Sequence, residues 1–355
     1  MYTFNKILFI FLAFLFSYSC SNQYEEIRPT QIFTDSSSIT GEKLDINTDT
    51  LAKPLHSLLI DSLLIIRDKE SSEHGLHIIN VNQEKFIAST AKKGRGPKEI
   101  QIALGLNLDP ENPRSFNTYA RLKNKIFTFN LDSILTKENY FPQEKIEFSE
   151  SYLMPVQIQN KQFIATGPFE KGRYRISDSS CSNHEYKYGY PYDPSKKNVS
   201  NQTKSLAYQG KFTIQPGGNH LAFSTTNCGV LEFFRVNKNS IKKIKEHHFY
   251  NPDYEARSNT SAPLSGKNKM GFTGYSATKK FFYILYSGRT FLKHRNTFLY
   301  GRDVLVFNWK GKPIKRYKLD KAVRCISVTD NNKTLYAYAS LPQPSILKYK
   351  LNHSQ

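Results

Sequence analysis

Tryptophan occurs once in the 355 residues, as Trp309; methionine occurs three times and cysteine four. A single tryptophan excludes repeats built on a Trp-Asp signature, since each copy would need its own. The cysteines Cys20, Cys181, Cys228 and Cys325 include no Cys-x-x-Cys spacing, which removes zinc-ribbon and thioredoxin-like chemistry. No His-Glu-x-x-His and no calcium loop occurs. His247-His248 is a poor metal pair, because adjacent side chains on a strand point to opposite faces. Neither a metal nor a cofactor is expected. Helical periodicity is scarce too: no window beyond about ten residues keeps apolar positions at a 3.6-residue spacing. Acidic residues are also few, 30 against 50 Lys and Arg, for a formal charge of +20. The lysines are interleaved with apolar residues: Lys238, Lys242, Lys243 and Lys245 flank Ile241 and Ile244, while Lys312, Lys315, Arg316 and Lys318 flank Ile314, Tyr317 and Leu319. That is the pattern of exposed strands with an apolar inner side, so no nucleic-acid partner is expected.

One stretch is uniformly apolar. Lys6 precedes the uncharged run from Ile7 to Phe16, and Ser17-Tyr18-Ser19 leads into Cys20 and the polar Ser21-Asn22-Gln23. A basic start, a short apolar run and small residues mark a secretory signal peptide; about 20 apolar residues would be needed to span a bilayer. A cysteine at the junction resembles a bacterial lipobox. Residues 1–19 are read as a lipoprotein signal peptide, Cys20 as the lipid attachment site and 20–49 as a lipidated tether. The expected location is the cell envelope, anchored in the membrane through the N-terminal lipid, in the outer membrane on its periplasmic or surface face. An exported chain permits disulfides, and the pairing of Cys181, Cys228 and Cys325 stays open.

Aromatic residues are plentiful, with 25 Phe and 22 Tyr, and they suit pleated, half-buried surfaces. A strand–turn–strand grammar recurs from residue 50 onward. Leu58-Leu59-Ile60 and Leu63 to Asp68 flank a turn at Asp61-Ser62; Leu76 to Val81 and Phe86-Ile87-Ala88 flank Asn82-Gln83. The pattern returns around Pro216-Gly217-Gly218-Asn219 and around Asp330-Asn331-Asn332. Gly, Asn and Asp supply the positive φ or short polar side chain that hairpins need. Small sheets repeating about every 50 residues with little helix predict an all-β fold, a six-bladed β-propeller over 50–355. The last repeat ends near Leu351 without an outer strand, so an N-terminal strand is expected to close it. Ile27 to Phe33 is the candidate, and deleting 27–35 would then lower the melting temperature sharply.

Lys92-Lys93-Gly94-Arg95-Gly96-Pro97-Lys98-Glu99 follows the outer strand of the first repeat. It resembles the Gly-(Arg/Gln)-Gly-Pro-x-Glu element of the TolB-like six-bladed propeller lipoproteins of Bacteroidales-type bacteria. The stretches from Gly274 to Arg289 and from Val304 to Tyr317 look like the same family. The resemblance implies fold and export and assigns no activity.

Candidate ligand-binding residues are Arg95, Tyr188, Tyr190 and Arg289. Arg95 offers a guanidinium fork to an anion, although its loop also reads as a stiff connection between blades. Tyr186-Lys187-Tyr188-Gly189-Tyr190-Pro191-Tyr192 reads equally as an aromatic contact patch or as a strand end packed beneath a loop. Ser276-Ala277-Thr278-Lys279 matches Ser-x-x-Lys but precedes a strand, where that spacing does not converge. The expected function is a non-catalytic, monomeric binding or scaffold protein with a protein or glycan partner. The alternative is an envelope hydrolase or lyase acting across the channel, with Arg95, Arg173 and Arg289 converging on an anionic or glycan substrate. No catalytic residue is assigned.

Overall fold

Six separate, mainly antiparallel sheets follow one another along the chain. A computed structural model describes residues 27–352 apart from 139, 151, 159–161, 179, 181–183, 238, 239, 259 and 260; the signal segment, Cys20 and Cys181 lie outside the described residues. Two short strands come first, β1 (Ser36–Ile39) and β2 (Glu42–Lys43). Blade 1 comprises β3 (Pro54–Ile60), β4 (Leu63–Asp68), β5 (His74–Asn80) and β6 (Lys85–Lys92). Blade 2 comprises β7 (Ala103–Asp109), β8 (Asn112–Ala120), β9 (Lys125–Asn130) and β10 (Gln143–Glu147), with a short helix α1 (Leu131–Thr136) before its outer strand. Blade 3 comprises β11 (Val156–Gln157), β12 (Phe163–Thr166), β13 (Tyr174–Ser177) and β14 (His184–Lys187). After helix α2 (Asn201–Ala207), blade 4 comprises β15 (Gly210–Ile214), β16 (His220–Thr225), β17 (Gly229–Asn237) and β18 (Ser240–Tyr250). Blade 5 comprises β19 (Phe272–Ala277), β20 (Phe281–Tyr286), β21 (Gly301–Asn308) and β22 (Pro313–Val323), with α3 (Phe291–His294) between its second and third strands. Blade 6 comprises β23 (Cys325–Val328), β24 (Thr334–Ala339) and β25 (Ser345–Lys350).

Each sheet runs in sequence order from an inner to an outer strand, and the inner strands β3, β7, β15, β19 and β23 pack beside one another around the axis. The turns form where the sequence places them, with Asp61, Gly217 and Asn332 at positive φ of 52°, 61° and 61°. Hydrophobic clusters lie between blades: Tyr174 of blade 3 packs against Phe212, Phe223 and Phe234 of blade 4.

The ring closes through the N-terminal segment, as expected, but further along the chain than Ile27 to Phe33. Pro29–Ile32 forms a 3-10 turn instead of a strand, because proline fixes φ and starts a helical turn well. The fourth strand of blade 6 is β2, antiparallel to β25 with Glu42 opposite Lys348. Just before it, β1 runs parallel to β22 and adds a fifth strand to blade 5. That cover explains why Lys315 is buried rather than exposed: it pairs with Asp35 at 3.2 Å. A second departure is Ile244, which is exposed because a bulge opposite Phe233 and Phe234 turns it outward.

Candidate functional site

In an up-and-down blade, the connections between strands two and three and those leading to the next blade emerge on one face of the ring. The three longest connections, 188–209, 251–271 and 287–300, all belong to that face. They bind one another into a layer: Thr203 Oγ1 donates to Ser258 O at 2.8 Å, Leu292 N to Gly266 O at 2.8 Å and Met270 N to Arg289 O at 2.9 Å. Ile102, Leu122, Tyr192, Phe291, Leu292 and Leu341, six of the ten exposed large apolar side chains among the described residues, lie on connections of this face.

Beneath this layer lies the mouth of the channel. His56 of β3 and Tyr275 of β19 meet across it, with ring centroids 4.2 Å apart and the Tyr275 hydroxyl 3.4 Å from His56 Nδ1. Lys211 of β15 holds its Nζ 5.3 Å from the centre of the Tyr275 ring. Arg67 Nη1 donates to Ala103 O at 2.8 Å, and Arg324 Nη1 donates to Thr273 O at 3.1 Å. Burial, reinforced by Lys211, Arg67 and Arg324, pushes His56 well below the usual imidazole range and keeps the ring neutral. Burial and the two guanidinium groups likewise bring Lys211 down to about 7. Burial lowers Arg67 to about 10 and also lowers Arg324. The channel mouth therefore gathers cationic and polar side chains.

The residues singled out in the sequence fall elsewhere. Arg95 is exposed on the blade 1–blade 2 loop. That loop has a structural logic: the Glu99 carboxylate folds back, accepts from Gly96 N at 3.0 Å and pairs with Lys92 at 3.2 Å. A Cβ on Gly94 would sit 1.9 Å from Glu99 Oε2, so the first glycine leaves room for the carboxylate in this position. Lys123 Nζ clamps the loop from blade 2, donating to Pro97 O at 2.8 Å. An open groove of about 600 Å³ runs beside it, bordered by Lys98, Glu99, Tyr140 and Phe141.

Arg95, Arg173 and Arg289 do not converge. Arg173 is buried at the blade 3–blade 4 interface against Glu232 at 2.7 Å, and half-buried Arg289 binds Thr297 O at 3.1 Å within its own connection. Tyr188 and Tyr190 face inward. The Tyr188 hydroxyl accepts from Lys243 N at 2.8 Å and donates to Ile241 O at 3.1 Å, while Tyr190 packs on Tyr208. Packing beneath the following connection thus occupies both rings, and Tyr192 alone of that segment's tyrosines is exposed. Ser276 is engaged by Val328 N at 2.9 Å, beside a turn where Lys279 is exposed. Among the described residues, no three His, Cys, Asp or Glu gather as metal ligands. Cys228 and Cys325 are buried free thiols, Cys228 pushed up to about 12 by burial.

The channel cations escaped sequence reading because they lie on different blades, far apart in the chain. One signal was present: His56, Lys211 and Arg324 recur at or beside the start of an inner strand.

Fold and sequence agree on the class, a six-bladed β-propeller. The chain belongs to the TolB-like 6-blade propeller-like family, whose pattern it matches over residues 32–331. No curated protein matches it. Among solved structures it is similar to a Bacteroides fragilis NCTC 9343 protein classed by name as exported, with 11% identity and a TM-score of 0.53 over 93% of this chain and 98% of that one. It is also similar to a DUF4221-family member from Bacteroides vulgatus ATCC 8482, with 12% identity and a TM-score of 0.53 over 90% and 98% of the two chains. At these identities the likeness concerns the fold.

Proposed function

We propose that this chain is a non-catalytic binding protein of the cell envelope, held there by a lipid on Cys20, which engages its partner through the face that carries the long connections. The observation that carries this reading is the gathering on one face of the three longest connections and most of the exposed large apolar side chains. Exposed apolar side chains clustered on one surface are a mark of interaction sites, and connections on a rigid scaffold are where recognition concentrates. Export accords with the signal-like start of the sequence and with the name of the Bacteroides fragilis relative.

Two measurements test it. Photo-reactive residues placed at Tyr192, Leu292 and Leu341 are expected to crosslink a common partner in envelope extracts, whereas Leu135, beside the opposite face, and Ile244, on an outer strand, yield none. Equal labelling from all five positions would remove the face assignment. Cys20→Ser is expected to abolish metabolic palmitate labelling and to move the protein out of the membrane fraction, since the lipid supplies the apolar surface buried in the bilayer. Unchanged labelling would place the lipid elsewhere.

A further inference from the structure

Arg67, Lys211 and Arg324 gather around Tyr275 at the channel mouth: Arg67 stands opposite His56, whose ring meets Tyr275, Lys211 Nζ lies over the Tyr275 ring, and Arg324 binds the carbonyl of Thr273 on the same strand. None forms an ion pair with Asp or Glu among the described residues. Asp68, next to Arg67 in sequence, is already engaged by the backbone N–H groups of Ala52, Lys53, Glu70 and Ser71. The cations use few of their donors on the protein. Each guanidinium gives one hydrogen bond to a carbonyl, and Lys211 Nζ rests over the Tyr275 ring. Arg67 Nε and the hydroxyls of Thr213 and Thr273 are buried without partners. Thr213 stands two residues after Lys211 and so shares its face of the strand, and Thr273 lies beside Arg324, which donates to its carbonyl oxygen.

Like charges gathered without a counter-ion are costly inside a protein. Unsatisfied donors beside them add to that cost. Lys211 and Arg67 nevertheless keep some accessible surface. We propose that the channel mouth binds a tetrahedral oxyanion, a sulfate or phosphate group, between Lys211, Arg67 and Arg324, with Thr213 and Thr273 as hydroxyl donors. Guanidinium forks suit such oxygens geometrically, and a dianion offsets more of the cluster's charge than chloride does. The inference deepens the reading of this face as the binding face and rests on it for the ligand's approach.

Inorganic sulfate is the probe, because it remains a dianion throughout the useful pH range. Calorimetry on the full chain near pH 7 is expected to show one saturable sulfate site, with uptake of a fraction of a proton as Lys211 becomes fully charged. The groups facing Lys211 do not titrate there: His56 is held neutral, Arg67 and Arg324 stay protonated, and burial raises Tyr275 and Cys325. Affinity should accordingly fall as pH rises through about 7. Lys211→Met is expected to weaken sulfate at least about tenfold and to abolish proton uptake. Lys211→Arg should retain binding without proton uptake, which separates a lost contact from a damaged fold. Equal affinity in wild type and Lys211→Met, or the same heat from sodium chloride at matched ionic strength, overturns the proposal. A sugar sulfate ester binding more tightly than inorganic sulfate would identify a sulfated glycan as the source, and the reverse a free ion. Lost sulfate binding with face-specific crosslinks intact removes the oxyanion site alone. Scattered crosslinks with sulfate binding intact remove the face reading.

Discussion

Replacing Glu232 with alanine is expected to destabilise the protein by about 3–5 kcal/mol, because it strands a buried guanidinium. Glu232 is fully buried on β17 and joins three groups: Arg173 Nη1 at 2.7 Å, Lys243 Nζ at 2.7 Å and the hydroxyl of Tyr174. Burial works against the charge on Arg173 and is outweighed by Tyr174 and Glu232, so its pKa is raised. Without Glu232, Arg173 keeps only aromatic neighbours, its guanidinium lying 4.9 Å from the Phe223 ring and 5.1 Å from that of Tyr174. Cation–π contact is worth about 0.5–2 kcal/mol, far less than a desolvated ion pair loses. Lys243 suffers less, since it is half-buried and already holds Glu246. The double variant Arg173→Met/Glu232→Leu should recover most of the loss, as apolar replacement of buried pairs commonly does. Trp309, buried in blade 5 with its Nε1 on Thr278 O at 2.9 Å, provides an intrinsic fluorescence signal for urea unfolding. A loss below about 1 kcal/mol for Glu232→Ala would mean that the aromatic packing alone holds blades 3 and 4 together.

That ion pair illustrates what the sequence conceals. Glu232 sits within an apolar strand and Arg173 follows the polar Glu170-Lys171-Gly172 just before another strand, and nothing in their spacing announces a partner. The blades themselves were more legible. Turn chemistry at Asp61, Gly217 and Asn332 and the β-branched and aromatic runs around them recorded the hairpins directly, because those requirements are local. Blade 2 was the exception. Its second strand opens on Asn112-Pro113-Arg114, and only Ser115 to Ala120 is buried, so alternation is weak and composition misleads. The Gly94–Glu99 loop was legible as a motif but ambiguous in role, since a glycine that makes room for a carboxylate looks like a glycine that admits a ligand. The channel mouth was the least legible. It brings together one residue each from several blades, and the ring geometry that assembles them is a property of the whole chain.

Ring closure separates the two halves of the N-terminal segment. Removing residues up to 34 is expected to lower stability by about 1–2 kcal/mol, chiefly through the edge contact of Phe33 on Phe307, whose rings lie 5.2 Å apart. Extending the deletion through residue 46 is a different perturbation. It strips β1 from β22 and β2 from β25 and breaks the hydrogen bond from Leu44 N to Ile346 O at 3.0 Å. It also removes Leu44 and Ile46 from the cluster in which Tyr336, Tyr338 and Ile346 of blade 6 meet Leu64 and Ile66 of blade 1. Two buried aliphatic side chains alone account for about 3–6 kcal/mol. The lost strand further leaves β25 as an open edge, a template for pairing with another chain. The longer truncation should therefore melt far lower in calorimetry and elute as oligomers in size-exclusion chromatography, while the shorter one stays monomeric. Intact closure in the shorter form relocates the sharp loss first expected from deleting 27–35 to the strands that follow. Coincident melting of the two truncations would show that blades 6 and 1 hold together through their own packing and that β2 is dispensable.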